Sequence, residues 1–326
     1  MIKIALVGFG TVGQSFLEIL INKRELVEKL VGKVKVVAIA DSKSSISGDF
    51  KLNYALDYKR GKGKLPEKRS ASEIVENDDF DVLVEATHTK LDGGDGLRYI
   101  KTALKRGRHV VTSNKGPLVV AFHELIKLAE KNDVRLMYEA TVGGAMPVIR
   151  IARKYLASCK ILGAIGILNG TCNYILSRME DERMPYTQVL KEAQELGIAE
   201  PDPSFDVDGI DAAIKLVILS NTIGIKTRFE DVEIEGITRI SPEAFEVASQ
   251  KGYTIRLIAE SKKECIRVAP RLVPLSHPMA IKGTMNAVMF KTDTAGEIFL
   301  AGRGAGGYET ATAMLSDLME IYARGN

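Results

Sequence analysis

Residues 2–7 form a nearly unbroken apolar run that stops at Gly8, and an amphipathic stretch follows from Gln14 to about Leu30. Short apolar runs recur at 34–40, 81–86, 109–112 and 135–138, with helical periodicity over 96–106 and 121–132 between them. Short strands that alternate with helices predict an α/β fold with a doubly wound parallel sheet of the Rossmann type. After residue 138 the pattern changes. Apolar runs at 160–168, 254–259, 266–272 and 285–292 are mixed with helical stretches near 147–157, 171–182, 186–196 and 209–223. That clustering predicts an α+β domain with a mixed sheet. Residues 310–319 read as a last helix that packs back on the first domain. The expected division is 1–138 together with a C-terminal helical segment over 303–326, and 139–302 as the second domain.

A chain of 326 residues suits two domains of ordinary size. Lys and Arg number 45 against 42 Asp and Glu, so no excess of positive charge awaits a nucleic-acid backbone. No apolar run reaches the ~18 residues that span a bilayer. The N-terminus enters a strand directly, without the pattern of a signal peptide, which points to a cytoplasmic protein with no membrane partner. Cys159, Cys172 and Cys265 lie far apart without metal-site spacing and are expected to be reduced, buried thiols.

The first run leads into Gly8-Phe9-Gly10-Thr11-Val12-Gly13. Strand before and helix after make this a dinucleotide signature. Gly8 allows the turn, Gly10 the approach of backbone to a pyrophosphate, and Gly13 close packing of helix on strand. Asp41 ends the second strand, where an acid grips ribose hydroxyls and favours NAD. Lys43, Lys59 and Arg60 are near enough in sequence to hold a 2′-phosphate instead, and the sequence leaves NAD and NADP both open.

A second constellation runs from Glu200 through Asp202, Asp206, Asp208 and Asp211 into an apolar helix that carries Lys215. Asp211 and Lys215 are one turn apart on the same face. A buried ammonium has to be paired or neutralised. Lys215 is therefore either half of a structural ion pair, with Asp206 or Asp208 capping the helix, or a proton-exchanging lysine whose pKa is lowered by burial. Three more segments bear on a ligand between the domains: 139–147 and 168–174, each rich in glycine, and 112–117, which sets Lys115 at the carboxyl edge of the parallel sheet.

With these motifs in their order, including Gly302-Arg303-Gly304-Ala305-Gly306, the chain resembles the homoserine dehydrogenase family from its first strand to its last helix. The resemblance implies NAD(P)-dependent interconversion of L-homoserine and L-aspartate 4-semialdehyde, in threonine, methionine and isoleucine biosynthesis. It implies Lys215 as proton donor and Lys115 as a second lysine near substrate and nicotinamide. Glu200, Asp206, Asp211 and Thr171 are then substrate contacts, and Thr87, His88, Ser113 and Gly304 join the glycine turn, Asp41 and Lys43 as cofactor contacts. Glu139 with the carbonyls of Val142, Gly144 and Met146 is implied as a structural sodium site, an oxygen-only donor set that suits a hard cation. A homodimer formed through the second domain is implied as well. Neither a kinase domain before the first strand nor a regulatory domain after the last helix is expected, and His88 departs from the small hydroxyl residue common at its place. Reduction of another small aldehyde on the same scaffold is an alternative that lacks a need for the acidic block. A catalytically silent dinucleotide-binding regulator is another, and it predicts loss of the lysines that this chain keeps.

Overall fold

The computed structural model describes residues 1–323, so the end of the expected 303–326 segment, residues 324–326, lies outside the described residues. The chain divides into two compact units, one of Met1–Gly144 with the segment from Gly306 onward, the other Ala145–Ala305.

The first unit is built on β1 (Ile2–Val7), β2 (Val34–Ala40), β3 (Ser45–Ser47), β4 (Val82–Glu85), β5 (His109–Thr112) and β6 (Leu136–Met137), in the sheet order β3-β2-β1-β4-β5-β6. All pairs are parallel except the short edge strand β3, which runs antiparallel to β2. Chain order reverses between β1 and β4, and in open sheets of this kind ligands bind outside the carboxyl ends at that reversal. Gly8 leaves β1 there with φ +94°, and a Cβ on it would lie 2.3 Å from the carbonyl carbon of Ala86, the residue after β4. The expected amphipathic helix is two helices, Thr11–Asn22 and Arg24–Val31, broken at Lys23. Phe16, Leu17 and Leu20 from the first and Val27 and Val31 from the second enter one core with Leu6, Val36 and Ile39. That core also takes Ala311, Met314 and Leu318 from the last helix. This helix is Gly307–Tyr322 and does not start at 303, because residues up to Arg303 belong to a strand and a short turn follows it.

The second unit holds β7 (Ile161–Ile167), β8 (Glu233–Ile234), β9 (Tyr253–Lys262), β10 (Cys265–Pro274), β11 (Met285–Thr292) and β12 (Glu297–Arg303), in the order β12-β11-β7-β9-β10-β8. It is antiparallel apart from β8, which lies parallel to β10. The Ile210–Thr222 helix packs against β9, and every residue from Asp211 to Asn221 is buried. The helical stretch near 147–157 is one α-turn, Val148–Arg150, continued as a π-helical turn over Ile151–Tyr155. All three cysteines are free thiols, but only Cys172 is buried. Cys159 in a turn and Cys265 at the start of β10 are half-buried, so the expectation of burial fails for these two. Among the described residues no helix is long and apolar enough to cross a membrane.

Backbone closes on backbone at Gly13, where a Cβ would stand 2.0 Å from the Gly8 carbonyl oxygen. Neither partner is a flexible side chain, so the backbone itself has to move. Gly13→Ala should therefore cost about 2 kcal/mol of folding free energy, within the range of overpacked sites. Urea denaturation measures it, and an unchanged midpoint would refute this account of the turn.

Candidate active site

In the first unit the helix after the glycine turn starts at Thr11, and its first hydrogen bond runs from Gln14 N–H to the Gly10 carbonyl at 2.9 Å. The preceding N–H groups have no side-chain cap from Gly10. A Cβ on Gly10 would meet nothing within 4 Å, so open space lies in front of these donors. Free N–H groups at the positive end of a helix, approached over a residue without a side chain, fit a dinucleotide pyrophosphate. The Phe9 side chain is buried in the core, which leaves only its backbone facing this space.

Asp41 follows β2 and spends both carboxylate oxygens on its own loop. Oδ1 accepts from the N–H groups of Lys43 and Ser44 at 2.8 and 2.7 Å, and Oδ2 from the Lys59 ammonium at 2.6 Å. The Ser44 hydroxyl adds a donor at 2.9 Å from each oxygen. Burial pushes this carboxyl up, but Lys59 and the loop donors outweigh it and hold the group below its ordinary value. Arg60 points elsewhere, to Glu18 at 2.9 Å. The Lys43 side chain is exposed.

A buried acid that the sequence pattern passes over lies at the end of β4. Glu85 has no exposed surface. Its carboxylate accepts from Thr87 N–H at 2.9 Å, the Thr87 hydroxyl, the Thr112 hydroxyl at 2.7 Å and Asn114 Nδ2 at 3.4 Å. Each hydroxyl in turn accepts from Asn114, Thr87 from Nδ2 at 3.1 Å and Thr112 from the backbone N–H at 3.0 Å. The Thr87 and Thr112 hydroxyls can each accept from Asn114 and still donate to Glu85, so the two oxygens of its carboxyl are met from both sides. Burial pushes the Glu85 carboxyl up, and Thr87, Thr112 and Asn114 oppose the rise. Asn114 also caps the Lys115–Lys131 helix through Oδ1 and the N–H of Gly116 at 3.1 Å, so this network fixes where Lys115 starts its helix. Ser113 lies alongside, its N–H donating to the Glu85 carbonyl at 3.1 Å. His88 is exposed.

In the second unit the chemistry gathers where β7 ends. Lys215 Nζ lies 2.7 Å from Asp211 Oδ2 and donates at 2.7 Å to the Leu168 carbonyl, with the Lys215 and Asp211 side chains 9% and 8% exposed. Asn169 Nδ2 donates to Asp206 Oδ1 at 2.6 Å and to Asp211 Oδ2 at 3.0 Å, and its Oδ1 caps the Gly170–Glu182 helix through Cys172 N–H at 2.8 Å. The Cys172 thiol donates to the Asp206 carbonyl at 3.1 Å. Burial and the charge of Asp211 push the Asp206 carboxyl up, against Asn169, Lys215 and Thr171. The structural role considered for Asp206 or Asp208 falls away: the helix of Lys215 is capped by Gly209, which takes φ +84°, and Asp208 is exposed. The structure thus brings together Lys215, Asp211 and Asp206. Thr171 stands beside them, with its hydroxyl on the Ile198 carbonyl at 3.1 Å. Glu200 is exposed in the loop after the Tyr186–Glu195 helix. Asn169, which ties the acids together, is a residue the sequence pattern does not single out; a capping asparagine before a helix is the signal that finds it.

Glu139 is buried in a short 3-10 turn, Glu139–Thr141, and its N–H donates to Asp317 on the last helix at 2.9 Å. The Val142 N–H returns to the Glu139 carbonyl at 3.3 Å, and Gly143 and Gly144 follow. In the second unit the Met146 carbonyl accepts from Val148 N–H at 2.8 Å. Among the described residues no group of three or more His, Cys, Asp and Glu side chains converges to hold a metal.

A Rossmann-ordered sheet with a glycine turn at its reversal, and an α+β unit that buries a lysine beside two acids, define a nicotinamide-dinucleotide oxidoreductase. The family model for homoserine dehydrogenase matches residues 147–319, and that for the NAD binding domain of homoserine dehydrogenase matches 8–139. The chain is 45% identical to the homoserine dehydrogenase of Methanocaldococcus jannaschii over 98% of each protein. It is similar to a crystal structure from Archaeoglobus fulgidus assigned to the same enzyme, with 66% identity and a TM-score of 0.97 over 99% of this chain and 100% of that one. A hyperthermophilic archaeal homoserine dehydrogenase in complex with NADPH is similar at 31% identity and a TM-score of 0.87, covering 98% of this chain and 97% of that one. The chain belongs to the homoserine dehydrogenase family and is a NAD(P)-dependent oxidoreductase.

The Asp41 loop carries a pH signature. A carboxyl held below its unfolded value stabilises the fold above that value, near pH 4, and loses the contribution as pH falls through the folded one. Asp41→Asn should melt below the parent at pH 7, and the gap should be smaller near pH 3, by calorimetry at the two pH values. A gap that is the same at both would refute the assignment.

Proposed function

We propose that the chain interconverts L-homoserine and L-aspartate 4-semialdehyde, with Lys215 exchanging the proton at the substrate oxygen. The observation that carries this reading is the Lys215 ammonium, held at 2.7 Å from both Asp211 and the Leu168 carbonyl. NAD(P), when bound, supplies the two-electron oxidant or reductant. Lys215 has three N–H donors, and two are engaged by these acceptors. The third serves the substrate. As the aldehyde carbon is reduced, negative charge develops on its oxygen, and Lys215 delivers a proton there; the amine left behind is reprotonated from solvent. In the oxidising direction the neutral amine takes the alcohol proton. Positioned acid–base groups of this type contribute about 10²–10⁴ in rate.

Asp206, Asp211 and Glu200 are the acids proposed for the substrate ammonium, with Thr171 beside them. Lys115 is proposed as the second lysine of the reaction. Thr87, His88, Ser113, Gly304, Asp41, Lys43 and the Gly8–Gly13 turn are the proposed cofactor contacts. Asp41 is charge-paired with Lys59 and engaged on both oxygens, so it offers little repulsion to a 2′-phosphate. That supports binding of NADP at least as tightly as NAD. A sodium ion on Glu139 and the carbonyls of Val142, Gly144 and Met146 belongs to the same proposal, supported by a donor set made only of oxygen; a sodium titration of dialysed protein that leaves its melting temperature unmoved would remove it. A cytoplasmic homodimer formed through the second unit is supported by the apolar residues Leu162, Leu272 and Phe299 left exposed on its strands. Light scattering that finds the mass of one chain would overturn the dimer.

Lys215→Ala should lower kcat by at least about a hundredfold and leave NAD(P) affinity within about twofold, measured by nicotinamide absorbance with L-homoserine and by cofactor titration. Retention of most turnover would return Lys215 to a structural ion pair. Lys59→Ala and Lys43→Ala should each weaken NADP and spare NAD in the same titrations. NAD bound more than tenfold tighter than NADP by the parent would overturn the assigned preference.

A further inference from the structure

Asn286, the second residue of β11, is 1% exposed, yet among the described residues neither its Oδ1 nor its Nδ2 has a hydrogen-bond partner. An orphaned buried polar atom loses its water without gaining a partner, and folded proteins keep few of them. A leucine has the same branching and would occupy this place without that cost.

The register puts the carboxamide beside the catalytic cluster. Asn286 pairs with Gly302 of β12, and Ala287, the next residue, with Ile167 at the end of β7. Asn286 is therefore alongside the point where β7 gives way to Leu168, Asn169 and Gly170. Leu168 accepts the Lys215 ammonium, and Asn169 binds Asp206 and Asp211. Two glycines make room for the side chain. A Cβ on Gly304 would lie 1.9 Å from Asn286 Nδ2, and one on Gly170 3.4 Å from Oδ1. Backbone closes on the carboxamide from both sides without bonding to it.

We propose that Asn286 is a substrate-recognition residue whose carboxamide receives the α-amino-acid end of the substrate, Nδ2 donating to the carboxylate and Oδ1 accepting from the ammonium. One unmet donor and one unmet acceptor match a zwitterion that brings one acceptor and one donor. Asp206 and Asp211 offer the ammonium acceptors but give the carboxylate no donor, and Nδ2 supplies one. The carboxamide of a nicotinamide carries the same donor–acceptor pair. The amino acid is favoured because Asn286 shares its unit with Asp206, Asp211 and Lys215. The inference rests on the functional reading above.

Asn286→Leu and Asn286→Ala test it, each with thermal melting and with separate KM values for L-homoserine and for NAD(P). Asn286→Leu should melt at or above the parent, because it removes two unmet polar atoms. Both variants should raise the homoserine KM at least about tenfold while the cofactor KM stays within about twofold. A homoserine KM that stays within twofold in both variants, beside an active parent, overturns this inference alone. So does a rise confined to the cofactor. A large fall in the melting temperature of Asn286→Leu with both KM values unchanged marks a carboxamide satisfied by buried water, and overturns it as well. A parent without homoserine turnover overturns the functional reading, and this inference with it.

Discussion

An ammonium group shut away from water must be matched inside the protein, and the second unit is arranged around that demand at Lys215. The acceptors come from two elements: Asp211 from the same helix, one turn earlier, and the Leu168 carbonyl from the end of β7. Asn169 then joins Asp211 to Asp206, so two acids that would repel one another share a donor. Removing one partner of such a buried pair typically costs about 3–5 kcal/mol, because the other is left charged and unpaired. The acidic loop, the capping asparagine and the buried helix are for this reason one structure.

The first unit solves the opposite problem by similar means. There the buried group is a carboxyl, Glu85, which burial pushes toward its neutral form, and its partners are two threonine hydroxyls and the asparagine that caps the next helix. In each unit a strand ends in a polar knot, and in each the knot includes an asparagine at the start of a helix, Asn114 or Asn169. Each side chain in these knots meets more than one partner, which holds it to one arrangement.

The fold class was legible in the sequence because parallel strands buried on both faces read as short apolar runs, and β1, β2, β4 and β5 all do. What escaped were elements whose residues carry no such pattern: β3 has three residues, β8 has two, and β12 lies at a sheet edge with no buried residue. In the site, Lys215 and Asp211 announced themselves because a lone lysine in an apolar helix needs a partner at helical spacing. Glu85 did not, since an acid at a strand end reads equally well as solvent-facing. Nor did Asn169, whose partners are 37 and 42 residues away along the chain. Arg60 was grouped with Lys59 by adjacency, but neighbours on a helix point in different directions, and Glu18 took it.

The first unit is discontinuous: its core is completed by Ala311, Met314 and Leu318, residues that follow the whole of the second unit. During synthesis the nucleotide-binding sheet must therefore wait. While Ala145–Ala305 emerges and pairs its strands, the apolar groove that receives the last helix stays uncovered, and the ribosome has to deliver the final segment before it can close. The part of the chain made first is the part finished last, which reverses the usual N-to-C order of domain folding. In this interval the nascent chain offers chaperones a hydrophobic surface that the last helix later covers.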